Sequence, residues 1–289
     1  MHSDLVNQTV ELIRRCSTDL PGDVESALSR ARDREDEDTM ARAVLDSLME
    51  NVELAREKSV PMCQDTGAPA FWVNLPLGQS MAVIEQQLTQ AVKEATKVSY
   101  LRPNAVDPVS GLNSGDNTGT HAPIFHWKEH HGPLEVTLLL KGGGSENVSV
   151  QYKLPDAGLG AGRDLEGVRR CVIDAVYHAQ GKGCAPGILG VGIGGNRDTS
   201  YQVAKEALLR KLDVPNEDSD LERLEKTLFR ELNSLGIGPM GFGGRTTVMG
   251  VNCAAAHRLP ACYFVSVAYT CWACRRRSMT VDGGEVHYD

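Results

Sequence analysis

The stretch LEVTLLLKGGGSEN, residues 134–147, joins an apolar run to three consecutive glycines. A short run rich in Leu, Val and Thr predicts a buried strand, here over residues 134–140. Consecutive glycines allow backbone N–H groups to approach a ligand closely and to form an anion-binding concavity. The sequence therefore predicts a strand that leads into a binding turn, in which Gly142, Gly143 and Gly144 are candidate contacts.

Helix and strand patterns follow one another on both sides of this strand. Apolar residues recur at four-residue steps from Met40 to Val52, which indicates one face of a helix that begins at a cap formed by Asp38 and Thr39. Similar patterns predict helices over residues 81–98, 162–180, 201–212 and 221–235, and strands over residues 71–75, 246–251 and 263–268. Because no repeat or linker interrupts them, we expect one compact α+β unit over residues 1–289, with helices packed on a mostly antiparallel sheet.

Three further segments are predicted to be loops. Residues 101–120 are rich in Pro, Gly, Asn, Asp and Ser, and a loop of this length is either disordered or functional. Glycine-rich loops are also expected around residues 192–195 and 236–244. Neither has the strand, turn and helix spacing of a dinucleotide-binding motif, and no phosphate-binding P-loop motif occurs in the chain.

The charge and the composition limit the class of protein. A formal net charge of -8 argues against a nucleic-acid partner, which requires a basic face. The first residues lack the apolar core of a secretory signal, and no apolar run is long enough to cross a membrane. We therefore expect a cytoplasmic protein in which the eight cysteines are reduced.

The cysteines fall into groups according to their surroundings in the sequence. Cys63, Cys184 and Cys271 each lie in a loop with small or polar neighbours and are candidate metal ligands. Core packing is expected for the cysteines that lie on a helical stripe or beside a strand, which are Cys171, Cys253 and Cys262. Cys16 carries no signal.

Cys271 and Cys274 form the sequence CWAC, which taken alone suggests a redox dithiol or half of a zinc site. A second close pair of zinc ligands is missing from the sequence. Three thiolates from distant loops are instead typical of an iron–sulfur cluster with one open coordination position.

Several motifs together resemble those of the α subunit of two-subunit, class I (iron–sulfur) fumarate hydratases and L-tartrate dehydratases. They are CQDTG at residues 63–67, NTGT at 117–120, KGGGSEN at 141–147, CAPGILGVGIGG at 184–195, and GPMGFGGRTTVMGV followed by YTCWACRRR. The resemblance covers nearly the whole chain. It implies an enzyme that adds water to, or removes it from, a C4 dicarboxylate, most readily fumarate or malate, with tartrate or mesaconate-like acids as further candidates.

The same resemblance implies roles for individual residues. Cys63, Cys184 and Cys271 match the ligands of a [4Fe–4S] cluster, which glycine-rich loops would surround. Asp65 matches an acid or base, and the alternative for this carboxylate is a cap on the turn at Thr66 and Gly67. Gln64 and Arg102 match substrate-binding residues. The backbone amides of the glycine run at 142–144 are candidates for further contacts with the anionic substrate.

Two features concern the rest of the enzyme. A histidine of the family is replaced here by Leu259, with His257 two positions earlier. The resemblance also implies a separate β subunit and a dimer of αβ units, for which Arg275, Arg276 and Arg277 are either an interface or an exposed basic run. The competing hypothesis is a non-catalytic zinc or dithiol module that uses Cys271 and Cys274.

Overall fold

The computed structural model describes residues 2–289, with side chains from Leu5 onward. The helices in this range are α1 (His2–Thr18), α2 (Gly22–Arg34), α3 (Met40–Lys58), α4 (Met81–Lys97), α5 (Gly143–Asn147), α6 (Leu165–Ala179), α7 (Arg197–Ala207) and α8 (Ser219–Ser234). The strands are β1 (Ala68–Pro76), β2 (Ile124–His130), β3 (Leu134–Lys141), β4 (Val150–Lys153), β5 (Gly187–Gly194), β6 (Val248–Ala256), β7 (Phe264–Thr270), β8 (Arg275–Asp282) and β9 (Glu285–Tyr288). None of the described helices combines the length and the apolar character needed to cross a bilayer. The α+β class predicted from the sequence is confirmed.

The chain divides into two compact units, where the sequence predicts one. The first contains the residues up to Pro21 together with Glu50–Gly143 and Ala273–Asp289, and the second contains Gly22–Met49 and Gly144–Trp272. Two of the boundaries fall inside α3 and α5. No linker composition therefore marks the division in the sequence.

The first unit is built on a five-stranded sheet in the order β2-β1-β3-β8-β9. Only the β1–β2 pair within it is parallel. Its core lies between this sheet and the helices α1 and α4, with Leu12 and Leu88 from the helices and Phe71 and Leu138 from the strands fully buried. The predicted strand of residues 134–140 is confirmed as β3, which lies at the centre of the sheet.

The second unit is built on a four-stranded sheet in the order β4-β7-β5-β6, in which only β5 and β6 are parallel. Leu189 and Val191 of β5 belong to a core cluster that includes residues of α6 and α8. Gly190 and Gly192 of the same strand face α7. Because side chains alternate between the two faces of a strand, α7 covers one face of this sheet and α6 and α8 cover the other.

Most predicted helices are confirmed with small shifts of their ends. Thr39 caps α3, since its hydroxyl accepts a hydrogen bond from the backbone N–H of Arg42 at 3.2 Å. The predicted apolar face of α3 is wrong at Met40, which is 59% exposed, and the buried stripe runs instead through Ala41, Leu45 and Val52.

The prediction of a loop around residues 192–195 is wrong for most of its length, because β5 extends to Gly194 as a fully buried strand. A Cβ atom on Gly190 would lie 2.0 Å from the carbonyl oxygen of Ala204 in α7, and one on Gly192 would lie 2.0 Å from that of Ser200. Gly190 and Gly192 therefore serve the close approach of a helix. They do not form a flexible turn.

We expect Gly190→Ala to lower the free energy of unfolding by about 1–3 kcal/mol or more, because the new methyl group would force β5 and α7 apart. Urea denaturation followed by circular dichroism measures this change. Gly22→Ala is the matched control in the same unit, since a Cβ atom there meets nothing within 4 Å. Equal unfolding midpoints for the two variants would contradict the assignment of Gly190 to a close helix contact.

Candidate active site

The CQDTG turn, residues 63–67, connects α3 to β1 in the first unit. Just before it, the backbone N–H of Met62 donates to the carbonyl of Ser17 at 3.0 Å, and Asn51 Nδ2 donates to the carbonyl of Met62 at 2.8 Å. Gly67 adopts φ +83°, and a Cβ atom there would lie 2.7 Å from the carbonyl carbon of Leu140. The turn is thus fixed against the end of β3, and only glycine fits at its last position.

Both carboxylate oxygens of Asp65 accept backbone hydrogen bonds. Oδ1 accepts from the N–H of Gly67 at 2.9 Å, and Oδ2 accepts from the N–H of Gly143 at 2.7 Å. A Cβ atom on Gly142 would lie 3.1 Å from Oδ2, so the glycine run leaves space for the carboxylate. Asp65 therefore caps its own turn, as the alternative interpretation expects, and also links that turn to the glycine run.

Arg102 lies beside the same turn. Its backbone N–H donates to Thr66 Oγ1 at 3.0 Å, and its Nη1 donates to the carbonyl of Gln64 at 3.3 Å. Asn117, in the NTGT motif, donates from Nδ2 to the carbonyl of Arg102 at 2.6 Å. The structure therefore brings Gln64, Asp65 and Arg102 together with the glycine run, and the side chains of Gln64 and Arg102 remain exposed.

Arg275 was not recognised from the sequence as part of this arrangement. Its side chain is 1% exposed, and Nη1 donates to the carbonyl of Asp65 at 2.7 Å. Arg276 is also buried, and Arg277 donates to Asp19 Oδ2 and to the carbonyl of Leu20. Of the two alternatives for these arginines, the exposed basic run is therefore wrong, because Arg275 and Arg276 are buried in β8.

Cys184 and Cys271 lie in adjoining loops of the second unit. Cys184 follows a 3-10 turn, Gln180–Gly183, and adopts the left-handed conformation with φ 55° and ψ 61°. Its carbonyl accepts a hydrogen bond from the N–H of Trp272 at 3.2 Å. Cys184 is exposed and Cys271 is partly exposed. Cys63, which is also partly exposed, belongs to the first unit.

Tyr269, at the end of β7, places a buried hydroxyl in the neighbourhood of these two cysteines. The ring packs on Gly183 and Gly187, where Cβ atoms would lie 2.5 Å and 2.3 Å from ring carbons. The hydroxyl has no hydrogen-bond partner among residues 2–289. Burial raises the pKa of Tyr269, and the nearby Cys271 and Cys184 raise it further. This hydroxyl is a protonated donor without a partner, and it lies near two accessible thiols. It would be satisfied by a hydrogen-bond acceptor in a group that the two thiols hold.

The other cysteines have different surroundings. Cys16, Cys171, Cys253 and Cys274 are buried, and desolvation raises the pKa of the Cys16 and Cys171 thiols to about 12. Core packing is thus confirmed for Cys171 and Cys253. It is wrong for Cys262, which is only partly buried, because it lies in the loop between β6 and β7.

A ready-made metal site is not present in the part of the chain that the structure describes, since no three His, Cys, Asp or Glu side chains form a group that could hold an ion. Cys274 is fully buried immediately before β8, and Arg276 Nη1 lies 3.8 Å from its sulfur. This burial does not favour a dithiol that reacts with external partners. Leu259 and His257 both lie exposed in the loop that follows β6.

Comparison with known proteins connects this geometry to a family. A family model described as fumarate hydratase (Fumerase) matches residues 6–280. A Geobacillus stearothermophilus protein, provisionally named class I fumarate hydratase, is 46% identical over 284 residues, which cover 96% of this chain. The chain spans about 55% of the length of that relative.

Two relatives of similar length carry the name of a subunit. A Methanocaldococcus jannaschii protein, provisionally named L(+)-tartrate dehydratase subunit alpha, is 36% identical, with 95% of each chain covered. The L(+)-tartrate dehydratase subunit alpha of Escherichia coli strain K12 is 32% identical, with 96% of this chain and 91% of that one covered. The chain therefore belongs to the fumarate hydratase (Fumerase) family.

Proposed function

We propose that this chain is the α part of a hydro-lyase that reversibly adds water to, or removes it from, a C4 dicarboxylate. Fumarate and malate are the first candidates, and tartrate or mesaconate-like acids are the second. The observation that carries the proposal is the position of Asp65, whose carboxylate joins the CQDTG turn to the glycine run beside the exposed Arg102. The names of the relatives support the same class of reaction.

Cys63, Cys184 and Cys271 are the residues that would hold a [4Fe–4S] cluster. The donor set supports this role, because these thiols are accessible whereas most of the others are buried, and because the Tyr269 hydroxyl near two of them lacks a partner among the described residues. When bound, such a cluster supplies an iron with an open coordination position that polarises the hydroxyl group of the substrate.

Arg102 and Gln64 are proposed to bind and orient the substrate. A guanidinium group matches a carboxylate with two parallel hydrogen bonds, and the side chain of Arg102 is available for this because it is exposed. The run Gly142, Gly143 and Gly144 is proposed to border the bound anion, with the Gly143 N–H engaged by Asp65 Oδ2. Together these groups would orient the substrate so that the carbon next to its bound carboxylate faces Asp65.

Asp65 is proposed to transfer the proton at that carbon. Each carboxylate oxygen has more than one lone pair, so Asp65 can accept a proton while Gly67 and Gly143 hold it in place. Arg275, which donates to the backbone carbonyl of Asp65, is a positioning residue that fixes the turn from the sheet side.

A separate β subunit is proposed to complete the enzyme, in a dimer of αβ units. Two relatives of similar length are named as alpha subunits.

We expect Cys63→Ser, Cys184→Ser and Cys271→Ser each to lose most of the iron taken up during anaerobic reconstitution, because each removes one of three ligands. Iron content and the visible absorbance of the cluster measure this effect. Cys262→Ser is the matched control, as a partly buried loop cysteine of the same chain. Cys274→Ser separates the two hypotheses. If only Cys271→Ser and Cys274→Ser lost metal, and to the same extent, the zinc or dithiol module would be favoured.

We expect Asp65→Asn to lower kcat by about 10²–10⁴-fold in the assembled enzyme, since an amide cannot act as the base. Hydration and dehydration assays over a panel of dicarboxylates measure the change. Asp107→Asn is the matched control, because the Asp107 carboxylate also caps a turn by accepting from the N–H groups of Val109 and Ser110. If both variants kept the wild-type kcat, the role of Asp65 in proton transfer would be ruled out.

Arg102→Lys keeps the positive charge but loses the two parallel hydrogen bonds to a carboxylate. We expect KM to rise about 10-fold or more with a smaller change in kcat, because the lost contact is formed with the bound substrate as well as in the transition state. Arg170→Lys provides the comparison, as an exposed arginine of the other unit that contacts backbone carbonyls. An unchanged KM for Arg102→Lys would exclude this residue from substrate binding.

A further inference from the structure

The second unit contains a cavity of about 780 Å³ between α2, α8 and β6. Its walls include the apolar side chains of Ala27, Ala31, Leu212, Phe229, Met249 and Val251. Sites for small organic molecules have volumes of roughly 300–1,000 Å³ and mostly apolar walls. None of the candidate active-site residues lines this cavity.

Basic side chains from two helices line the same cavity. Arg30 and Arg34 come from α2, and Arg223, Lys226 and Arg230 come from α8. Arg223 is paired with Asp220 at 3.0 Å, and Lys226 is paired with Glu222 at 2.6 Å. No ion pair involves Arg30 or Arg230 within residues 2–289, and Arg34 lies over the ring of Phe229 at 5.4 Å.

The acidic side chains of the lining do not cancel this charge. Glu225 is buried and is paired with Arg210, and it also accepts a hydrogen bond from Asn216 Nδ2 at 2.7 Å. Glu222 is paired with Lys226. Asp213, which is exposed, is the remaining acidic residue of the lining. Arg30, Arg34 and Arg230, which have no acidic partner among residues 2–289, outnumber Asp213 and give the cavity a local positive charge, although the whole chain carries a net charge of -8.

A buried hydroxyl group in the lining also lacks a partner. Thr246 is 1% exposed and lines the cavity, and its Oγ1 has no hydrogen-bond partner in the described chain. The neighbouring Thr247 differs, since its Oγ1 accepts from the N–H of Gly238 at 3.3 Å. A buried polar group without a partner is unfavourable, and a polar atom of a ligand would satisfy it.

A C4 dicarboxylate matches the charge of this cavity but not its walls, because it has no apolar part to cover them. We propose that the cavity binds a larger organic anion, with an apolar body against Met249 and Val251, an anionic group between Arg30 and Arg230, and a polar atom at Thr246. An alkyl phosphate and a nucleoside monophosphate both join an apolar or flat body to a phosphate group, and the nucleoside also supplies polar atoms for Thr246.

A titration with the fluorescent probe 8-anilinonaphthalene-1-sulfonate tests the proposal. The titrated protein is the full chain, together with its partner subunit if the two assemble. We expect saturable binding of one probe per chain, and at least 5-fold weaker binding to the Arg30→Gln/Arg230→Gln double variant, since each arginine attracts the anionic group. Arg170→Gln is the matched control, as an exposed arginine of the same unit outside the cavity. Equal affinities of the double variant and this control overturn the proposal.

Two further measurements keep the test independent of folding and identify the ligand chemistry. Met249→Trp fills the cavity, and a variant that keeps the wild-type circular dichroism spectrum should lose the probe. Displacement of the probe by octyl phosphate supports an alkyl ligand, and displacement by AMP supports a nucleotide. The proposal fails if neither displaces the probe, if inorganic phosphate displaces it equally well, or if folded Met249→Trp still binds it.

Discussion

The carboxylate of Asp65 is the contact on which the candidate active site depends. It holds together two segments that are 78 residues apart in the sequence, through hydrogen bonds from the N–H groups of Gly67 and Gly143. Hydrogen bonds to an ionised acceptor are stronger than those between neutral groups, so this carboxylate can fix two loops without a side-chain partner. The same contact that stabilises the turn therefore orients the group proposed to transfer the proton.

Close packing on glycine supports both units, in different ways. In the first unit Gly67 lets the turn pass over the carbonyl of Leu140, where any side chain would collide. In the second unit Gly190 and Gly192 let α7 lie directly on the sheet. The glycine content that first suggests loops thus has two uses, room for the Asp65 carboxylate at Gly142 and helix packing in β5.

With the exception of Cys262, burial separates the proposed cluster ligands from the other cysteines. The three proposed cluster ligands are exposed or partly exposed, whereas Cys16 and Cys171 are held as thiols by the desolvation that raises their pKa to about 12. CWAC shows the difference within one motif, because its first cysteine is accessible and its second lies fully buried. A pair of equivalent thiols, which the dithiol hypothesis requires, is not what the fold provides.

The sequence by itself determined the α+β class, the strand before the glycine run and most of the helices, since these rest on local periodicity. Its resemblance to a family made Gln64, Asp65 and Arg102 candidate site residues. Only the tertiary structure decided that the segment 187–194 is a buried strand and that Arg275 lies beneath Asp65. A glycine run has the same local pattern in a loop and in a strand, and what distinguishes them is the helix packed against it. Arg275 contacts a residue 210 positions away, so its burial depends on a pairing that no local pattern contains.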